Sequence, residues 1–270
     1  MRFVVLGPEG TYSDIAAKKY ISDNNLKCDI IYVPSILFIS LELEKADMAI
    51  FPFENTLDGF VLESLDNIVK YDFKIVNQLK LDIDFAFVSN AKSIDDVKNI
   101  YCQFKVYGQC MNFITEKKVL ATKTESNTET LAKILEEKDN TYGAIIPMHL
   151  LEEDKFNIVI KHIADSRYNQ TRFFIVQKNF VIEEIKDFDA SLVITINHDR
   201  VGALYDILSV FHILDINLNS ILSRPARTKL GVYNFYIECK LKNRNMLYEL
   251  IKKIEEMDFI VTILGVYNKL

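Results

Sequence analysis

The heptapeptide YNQTRFF, Tyr168–Phe174, sets a hydroxyl, Thr171, directly beside a guanidinium, Arg172, at the head of an apolar run. An arginine fork donates two parallel hydrogen bonds to a carboxylate. A threonine hydroxyl can donate to a departing or bound oxygen. A surface arginine beside a strand-forming threonine is the plainer reading of such a pair, so its company decides. FPFENTLDGFV, Phe51–Val61, places Glu54, Asn55 and Thr56 at the carboxyl end of an apolar strand. That is the ligand-binding edge of an open α/β sheet. GPEGTYSD sets Thr11 before a helix with Asp14 three residues on, and ESNTETLAKIL sets Ser126 in the same relation to Glu129. Both spacings match a capping box. At Thr11 the free N–H groups of the helix start are an equal alternative, suited to a carboxylate. YGQCMNF adds Gln109 at an expected helix start.

These residues need elements to hold them. Phe3–Leu6, Ile30–Val33 and Met48–Pro52 read as strands, and Ser13–Asn24, Ser35–Ala46 and Leu62–Tyr71 as helices. Such alternation predicts α/β units on a mainly parallel sheet. LKLDIDFAFVSN reads as one long strand with a wet face. Helix–strand alternation resumes with YCQFKVYG as a strand between helical SIDDVKNI and QCMNFITEK, then helical NTETLAKILEEK and the strand YGAIIP. A second long crossing runs through Ile158–Gln177, so two lobes form with a cleft between them, a common home for a small ligand. Lys178–Ala190 reads as a linker. Beyond it the strands Ser191–Asn197, Leu218–Arg224, Tyr233–Leu241 and Phe259–Val266, with helices Ala203–Leu214 and Met246–Met257, spell βαββαβ, a ferredoxin-like arrangement.

The chain has 270 residues and only eight glycines. Gly7 and Gly10, Gly59, and Gly202 in NHDRVG each follow a strand, where a tight corner or a close backbone approach calls for glycine. The net charge of −6 argues against a nucleic-acid binder. An anionic ligand must then be drawn in by local groups, against the overall field. Cys28, Cys102, Cys110 and Cys239 form no CxxC pair and do not cluster with the four histidines, which argues against a zinc site and a disulfide framework. Cys102 and Cys110 are expected as reduced thiols in or near a core. No apolar run reaches the ~18 residues of a membrane span, and the first residues do not read as a secretory signal. The expected location is the cytoplasm.

Taken together and in order, these stretches resemble prephenate dehydratase. GPEGTYS looks like that family's opening motif, PFENTLDGFV is similar to its P-[IFL]-E-N-[ST]-x-x-G-x-V, and IADSRYNQTRFFIV resembles I-x-D-x-x-x-N-x-T-R-F. GALYDIL and INLNSILSRPAR resemble the G-A-L-x-x-x-L and I-N-L-x-x-I-E-S-R-P motifs of an ACT module. The resemblance implies an α/β fold: a two-lobed catalytic domain like type 2 periplasmic binding proteins, about residues 1–180, and a regulatory ACT domain, 188–270. Lobe 1 would take about 1–78 and 160–180, and lobe 2 about 79–159.

The implied reaction is loss of water and carbon dioxide from prephenate, giving phenylpyruvate, the work of a carbon–oxygen lyase in phenylalanine biosynthesis with no metal or cofactor. The catalytic residues implied are Thr171, donating to the leaving hydroxyl, and Arg172, gripping a carboxylate, with Asn55 and Glu54. Thr11, Thr56, Gly59, Cys102, Gln109, Ser126, Asn127 and Phe173 would bind substrate, Phe173 against the ring. Phenylalanine would act as effector at Gly202, Ala203, Leu204, Asn217, Leu218, Ser223, Arg224 and Pro225, in a homodimer or homotetramer joined through ACT domains. Arogenate dehydratase and a non-catalytic amino-acid sensor are the alternatives. The family's S-H-P-Q-x-x-x-Q-C reads CQFKVYGQC here: Ser becomes Cys102, His becomes Gln103, Pro becomes Phe104 and Gln becomes Lys105, while Gln109 and Cys110 match. Its E-S-R-P reads Leu222-Ser223-Arg224-Pro225.

Overall fold

Apolar runs bury the central strands, such as Phe85–Ser89, on both faces, and the strands fall into two separate sheets. The structure is a computed structural model and describes residues 1–179, 186–196, 200–225 and 233–268. Residues 180–185 of the expected linker, the strand end at Asn197, residues 198 and 199 of NHDRVG, Ala226 and Arg227 of the second ACT-like motif, and Gly231 lie outside the described residues.

The larger sheet begins with β1 (Arg2–Leu6), α1 (Tyr12–Asp23), β2 (Asp29–Val33), α2 (Ile36–Leu43) and β3 (Met48–Asn55). Next come β4 (Gly59–Phe60), α3 (Leu62–Lys70) and β5 (Lys74–Asp82). β1 pairs in parallel with β2 and β3. The chain then crosses into a second sheet: β6 (Phe85–Ser89), β7 (Asn99–Gln103), α4 (Phe104–Gln109), α5 (Met111–Lys117), β8 (Leu120–Thr124), α6 (Asn127–Glu136), β9 (Tyr142–Pro147) and β10 (Ile158–Lys161), in strand order β10-β6-β9-β7-β8. It returns as β11 (Gln170–Gln177), which lies antiparallel between β3 and β5. This is the two-lobed fold, with the chain passing between lobes twice.

Two local readings are corrected. LKLDIDFAFVSN is two strands, because its middle, Ile83–Asp84, is where the chain leaves one sheet for the other. YCQFKVYG is a strand only to Gln103. There the Gln103 side chain accepts from the backbone N–H groups of Lys105 and Val106, at 2.8 and 3.3 Å, and starts α4.

The C-terminal part runs β12 (Phe188–Ile196), α7 (Ala203–Ile213), β13 (Leu218–Pro225), β14 (Tyr233–Leu241), α8 (Arg244–Glu255) and β15 (Phe259–Asn268), which is βαββαβ. Its strands, in order β13-β14-β12-β15, join the larger sheet edge to edge through β15 and β5. A single residue pair carries that ladder, Gly265 opposite Ile75. A Cβ at position 265 would sit 2.2 Å from the Ile75 carbonyl oxygen, so only glycine permits the approach. Side chains bridge on either side: Lys74 Nζ donates to the Ile263 carbonyl at 3.3 Å, and Gln78 Nε2 to the Asn268 carbonyl at 3.0 Å.

Candidate functional site

β3 ends where the antiparallel β11 begins, at the mouth of the cleft, and the side chains there meet. Asn55 Nδ2 lies 3.0 Å from Thr171 Oγ1 and 2.8 Å from Asn169 Oδ1. The hydroxyl oxygen therefore accepts, and its own proton has no acceptor among the described residues. Asn55 Oδ1 accepts from the backbone N–H groups of Leu57 and Asp58, at 2.9 and 3.0 Å, which folds NTLDG into a turn. Gly59 completes that turn at φ +77°. Asn169 Nδ2 donates onward to Gln109 Oε1 at 3.0 Å, and Gln109 Nε2 to Asp58 Oδ2 at 3.2 Å. Thr171, Asn55, Asn169, Gln109 and Asp58 form one continuous chain of hydrogen bonds spanning both lobes, with Asn55, Asn169 and Gln109 buried.

A cavity of about 240 Å³ opens on this chain. Lobe 1 gives it Tyr12, Asn55, Asp58, Gly59, Phe60 and Thr171, and lobe 2 gives Phe85, Gln103, Lys105, Val106, Gln109 and Asn127. The Tyr12 hydroxyl donates to the Asp84 carbonyl at 2.8 Å, and burial raises its pKa, keeping it a neutral donor. Asn127 starts α6, and its buried Oδ1 has no partner. His149 Nε2 lies 2.9 Å from the Gly10 carbonyl and its ring packs edge-on against Tyr12, so the lobes touch beside the cavity.

Five of the expected residues, Asn55, Gly59, Gln109, Asn127 and Thr171, line this cavity. Seven do not, and each has a physical reason. Arg172 follows Thr171 on a strand and so points through the opposite face of the sheet. Its guanidinium donates to Glu238 from Nη1 at 2.6 Å and Nη2 at 2.8 Å, and to Glu54 at 2.8 Å. It lies over Phe53 and Phe174. Burial works against its charge, but the Glu238 carboxylate outweighs this and holds the pKa above the ordinary arginine value. Arg172 and Glu54 are therefore a strut to the C-terminal part, not a grip on a ligand in the cavity.

Phe173 is buried in the core with Phe3, Val5 and Ile50. Thr56 ties the turn to the returning chain: its Oγ1 donates to the Tyr168 carbonyl at 2.8 Å and accepts from Gln170 N at 3.0 Å. Thr11 and Ser126 are helix caps, accepting from Asp14 N and Glu129 N. Cys102 is fully buried in the lobe 2 core, where burial pushes its thiol up to about 11. The residue facing the cavity there is its neighbour Gln103.

The C-terminal candidates divide likewise. Gly202, at φ +86°, Ala203, Leu204 and Ser223 line a second cavity of about 280 Å³ with Arg200, Tyr205 and Tyr233. Arg224 turns the other way from Ser223, as strand alternation requires, and grips Asp66 of α3 with Nε at 3.1 Å and Nη2 at 2.5 Å. Pro225 lines the same crevice as Arg224, against α3. Asn217 contributes its carbonyl to Lys240 N, and Leu218 packs on the C-terminal core.

The family profile of prephenate dehydratase matches residues 3–180. The prephenate dehydratase of Methanocaldococcus jannaschii is 31% identical, over 96% of this chain and 95% of that one. The chain belongs to the prephenate dehydratase family. Among solved structures, the prephenate dehydratase of Staphylococcus aureus superposes with a TM-score of 0.88 at 28% identity, covering 99% of this chain and all of the other. That of Arthrobacter aurescens, solved in complex with L-Phe, reaches 0.83 at 23% identity over the whole chain and 90% of its own. The dehydratase resemblance thus extends past the matched 178-residue span into the βαββαβ part, since both structures cover it. No helix among the described residues is long and apolar enough to cross a membrane. Asn169, Tyr12, Asp58, Gln103 and Lys105 went unnoticed as site residues in the sequence. Asn169 stood in the dehydratase motif itself, and Gln103 and Lys105 stood in the segment set aside as divergent.

Proposed function

We propose that this chain converts prephenate to phenylpyruvate in the cleft cavity. One observation carries the reading: Asn55 donates to Thr171 Oγ1 and leaves the threonine proton free to bond a ligand. Aromatisation drives the reaction. The bond from the ring to its carboxylate breaks and releases carbon dioxide. Its electron pair completes the aromatic ring and expels the para hydroxyl, which leaves as water with one proton. Thr171 hydrogen-bonds to that hydroxyl as negative charge builds on it, and Asn55 polarises Thr171 at the same moment. A preorganised donor of this kind contributes about 10²–10³ in rate. Gln109 and Asn169 hold Asn55 in place across the lobes. The Asn127 amide, whose Oδ1 is unpartnered, is available to the ring substituents.

The C-terminal part is proposed as an ACT-type regulatory domain that takes phenylalanine at Gly202–Leu204 and Ser223. Its sequence motifs support this, and so does the relative of the same fold that holds L-Phe. Pairing of such domains would make a homodimer or homotetramer, in the cytoplasm. The deciding measurement mixes purified protein with prephenate at neutral pH and follows phenylpyruvate by its absorbance in alkali. Turnover no faster than the uncatalysed reaction would end the catalytic reading.

A further inference from the structure

Prephenate carries two carboxylates, and the protein that would bind it has a net charge of −6. A local cation in its cavity would draw such a dianion in against the overall field. Arg172, the arginine of the motif, is spent on Glu238 and Glu54 on the other side of the sheet. Lys80 lines that same far side. Lys123 lies over the rings of Phe104 and Tyr107, 4.9 and 5.0 Å from their centroids, and does not line the cavity. Arg167 lines a different hollow, with Asp82, Asp84 and His162. Among the residues that line the cavity, one is cationic: Lys105. Its backbone is fixed by the 2.8 Å bond to Gln103 Oε1, and its ammonium has no carboxylate partner among the described residues. The one anion of the lining, Asp58, is already held by Gln109.

We propose that Lys105 is a specificity-determining residue that holds the pyruvyl carboxylate of the substrate from lobe 2. This rests on the catalytic reading above. The choice between the two carboxylates follows from the chemistry. The ring carboxylate loses its charge as carbon dioxide departs, so a cation fixed to it would stabilise the ground state more than the transition state and slow the reaction. The pyruvyl carboxylate keeps its charge throughout, so a cation there binds substrate, transition state and product alike. Uniform binding of this kind appears in KM and not in kcat. Lys105 also stands where the family pattern has glutamine, so this chain adds a charge to a position that is neutral in that pattern.

The test compares wild type with Lys105→Met, Lys105→Gln and Lys105→Arg. Two probes are used: prephenate turnover, and equilibrium binding of phenylpyruvate, which keeps the pyruvyl carboxylate and does not react. In Lys105→Met and Lys105→Gln, KM for prephenate should rise about tenfold while kcat stays within about threefold, and the Kd of phenylpyruvate should rise by a similar factor. Lys105→Arg should restore both to within about threefold. KM and Kd both within twofold of wild type in Lys105→Met would overturn the proposal. A rise in KM with unchanged phenylpyruvate affinity would overturn it too, because the lysine would then hold the departing carboxylate. Wild type that binds phenylpyruvate through Lys105 yet turns over no prephenate would refute the catalytic reading and leave Lys105 as assigned. Wild type that neither turns over prephenate nor binds phenylpyruvate would refute both.

Discussion

Thr171 and Arg172 are adjacent in sequence and lie on opposite faces of β11. The hydroxyl meets Asn55 Nδ2 at 3.0 Å on the cavity wall, and the guanidinium is clamped by Glu238 behind the sheet. The pleat of a strand makes this unavoidable, since neighbouring side chains alternate. The two residues thus serve different surroundings: one faces the cavity, the other faces the C-terminal part of the chain.

In the proposed reaction Asn55 acts by polarising Thr171. Asn55→Ala should lower kcat by about 10²–10³, the loss expected of a preorganised donor. Asn55→Asp should be at least as damaging, because a carboxylate would accept the threonine proton and draw it away from the leaving hydroxyl. Steady-state kinetics on both variants decides. Turnover of Asn55→Asp within threefold of wild type would mean that the orientation of this bond does not matter.

The Arg172–Glu238 pair is buried, with side chains 11% and 1% exposed. Removing Glu238 leaves Arg172 with only the more exposed Glu54, 2.8 Å away, as its carboxylate partner, at a cost approaching the ~3–5 kcal/mol of a broken buried pair. Chemical denaturation of Glu238→Ala should report a loss of that size. A cycle through Arg172→Met and Glu238→Gln should give a coupling of about 1–3 kcal/mol. Strict additivity would mean that the two are not joined in solution.

Cys102 stands where the dehydratase pattern has serine, yet it packs with Phe87, Val106 and Cys110. Cys102→Ser should not restore a binding group. The expected result is KM for prephenate within twofold of wild type and a stability loss of about 1–3 kcal/mol, from a hydroxyl placed among apolar neighbours. With its thiol pushed up to about 11, Cys102 should also resist thiol reagents at pH 8 in the folded protein. Rapid labelling there, or a lower KM in the serine variant, would place Cys102 at the cavity after all.

Arg224 links the proposed effector strand to α3 through Asp66. It does not face the cavity of Gly202 and Ser223. Arg224→Gln should therefore leave phenylalanine affinity within about threefold while reducing the effect of phenylalanine on turnover, by a coupling of about 1–3 kcal/mol. Calorimetry and inhibition curves on the same preparation separate the two. Loss of binding with coupling intact would return Arg224 to the effector site.

Much of this was legible in the sequence, for a definable reason. Asn55, Gln109, Asn127 and Thr171 sit in polar motifs at the ends of strands and helices, and they converge on one cavity, although Gln109 closes α4 where a helix start was expected. Arg172 was misread although its signal was present. If QTRFFIV is a strand, residues 171 and 172 must face apart. Glu238 could not be found at all, because its partner is 66 residues away and alternation does not say which face of one strand meets which face of another. Phe173 carried a similar ambiguity, since apolar residues on both faces of a buried strand look alike in sequence. The start of α4 at Phe104 was missed because the cap at Gln103 uses a glutamine, which is not a usual capping residue.

The meeting of β15 with β5 through one residue pair has a consequence for how the chain stays out of trouble. A strand with unpaired N–H and C=O groups is a template for other chains. β5 has β11 on one side and β15 on the other, so the C-terminal part masks an edge that would otherwise be open. A fragment ending at residue 179 would lose the Ile75–Gly265 pair and the Lys74 and Gln78 bridges beside it, leaving that side of β5 uncovered. Size-exclusion chromatography should find that fragment self-associating where the full chain gives one discrete species, and a well-behaved fragment would show that the border needs no cover. The C-terminal part would then be a guard against misassembly as well as the proposed sensor, and the glycine at 265 is what lets it come close enough.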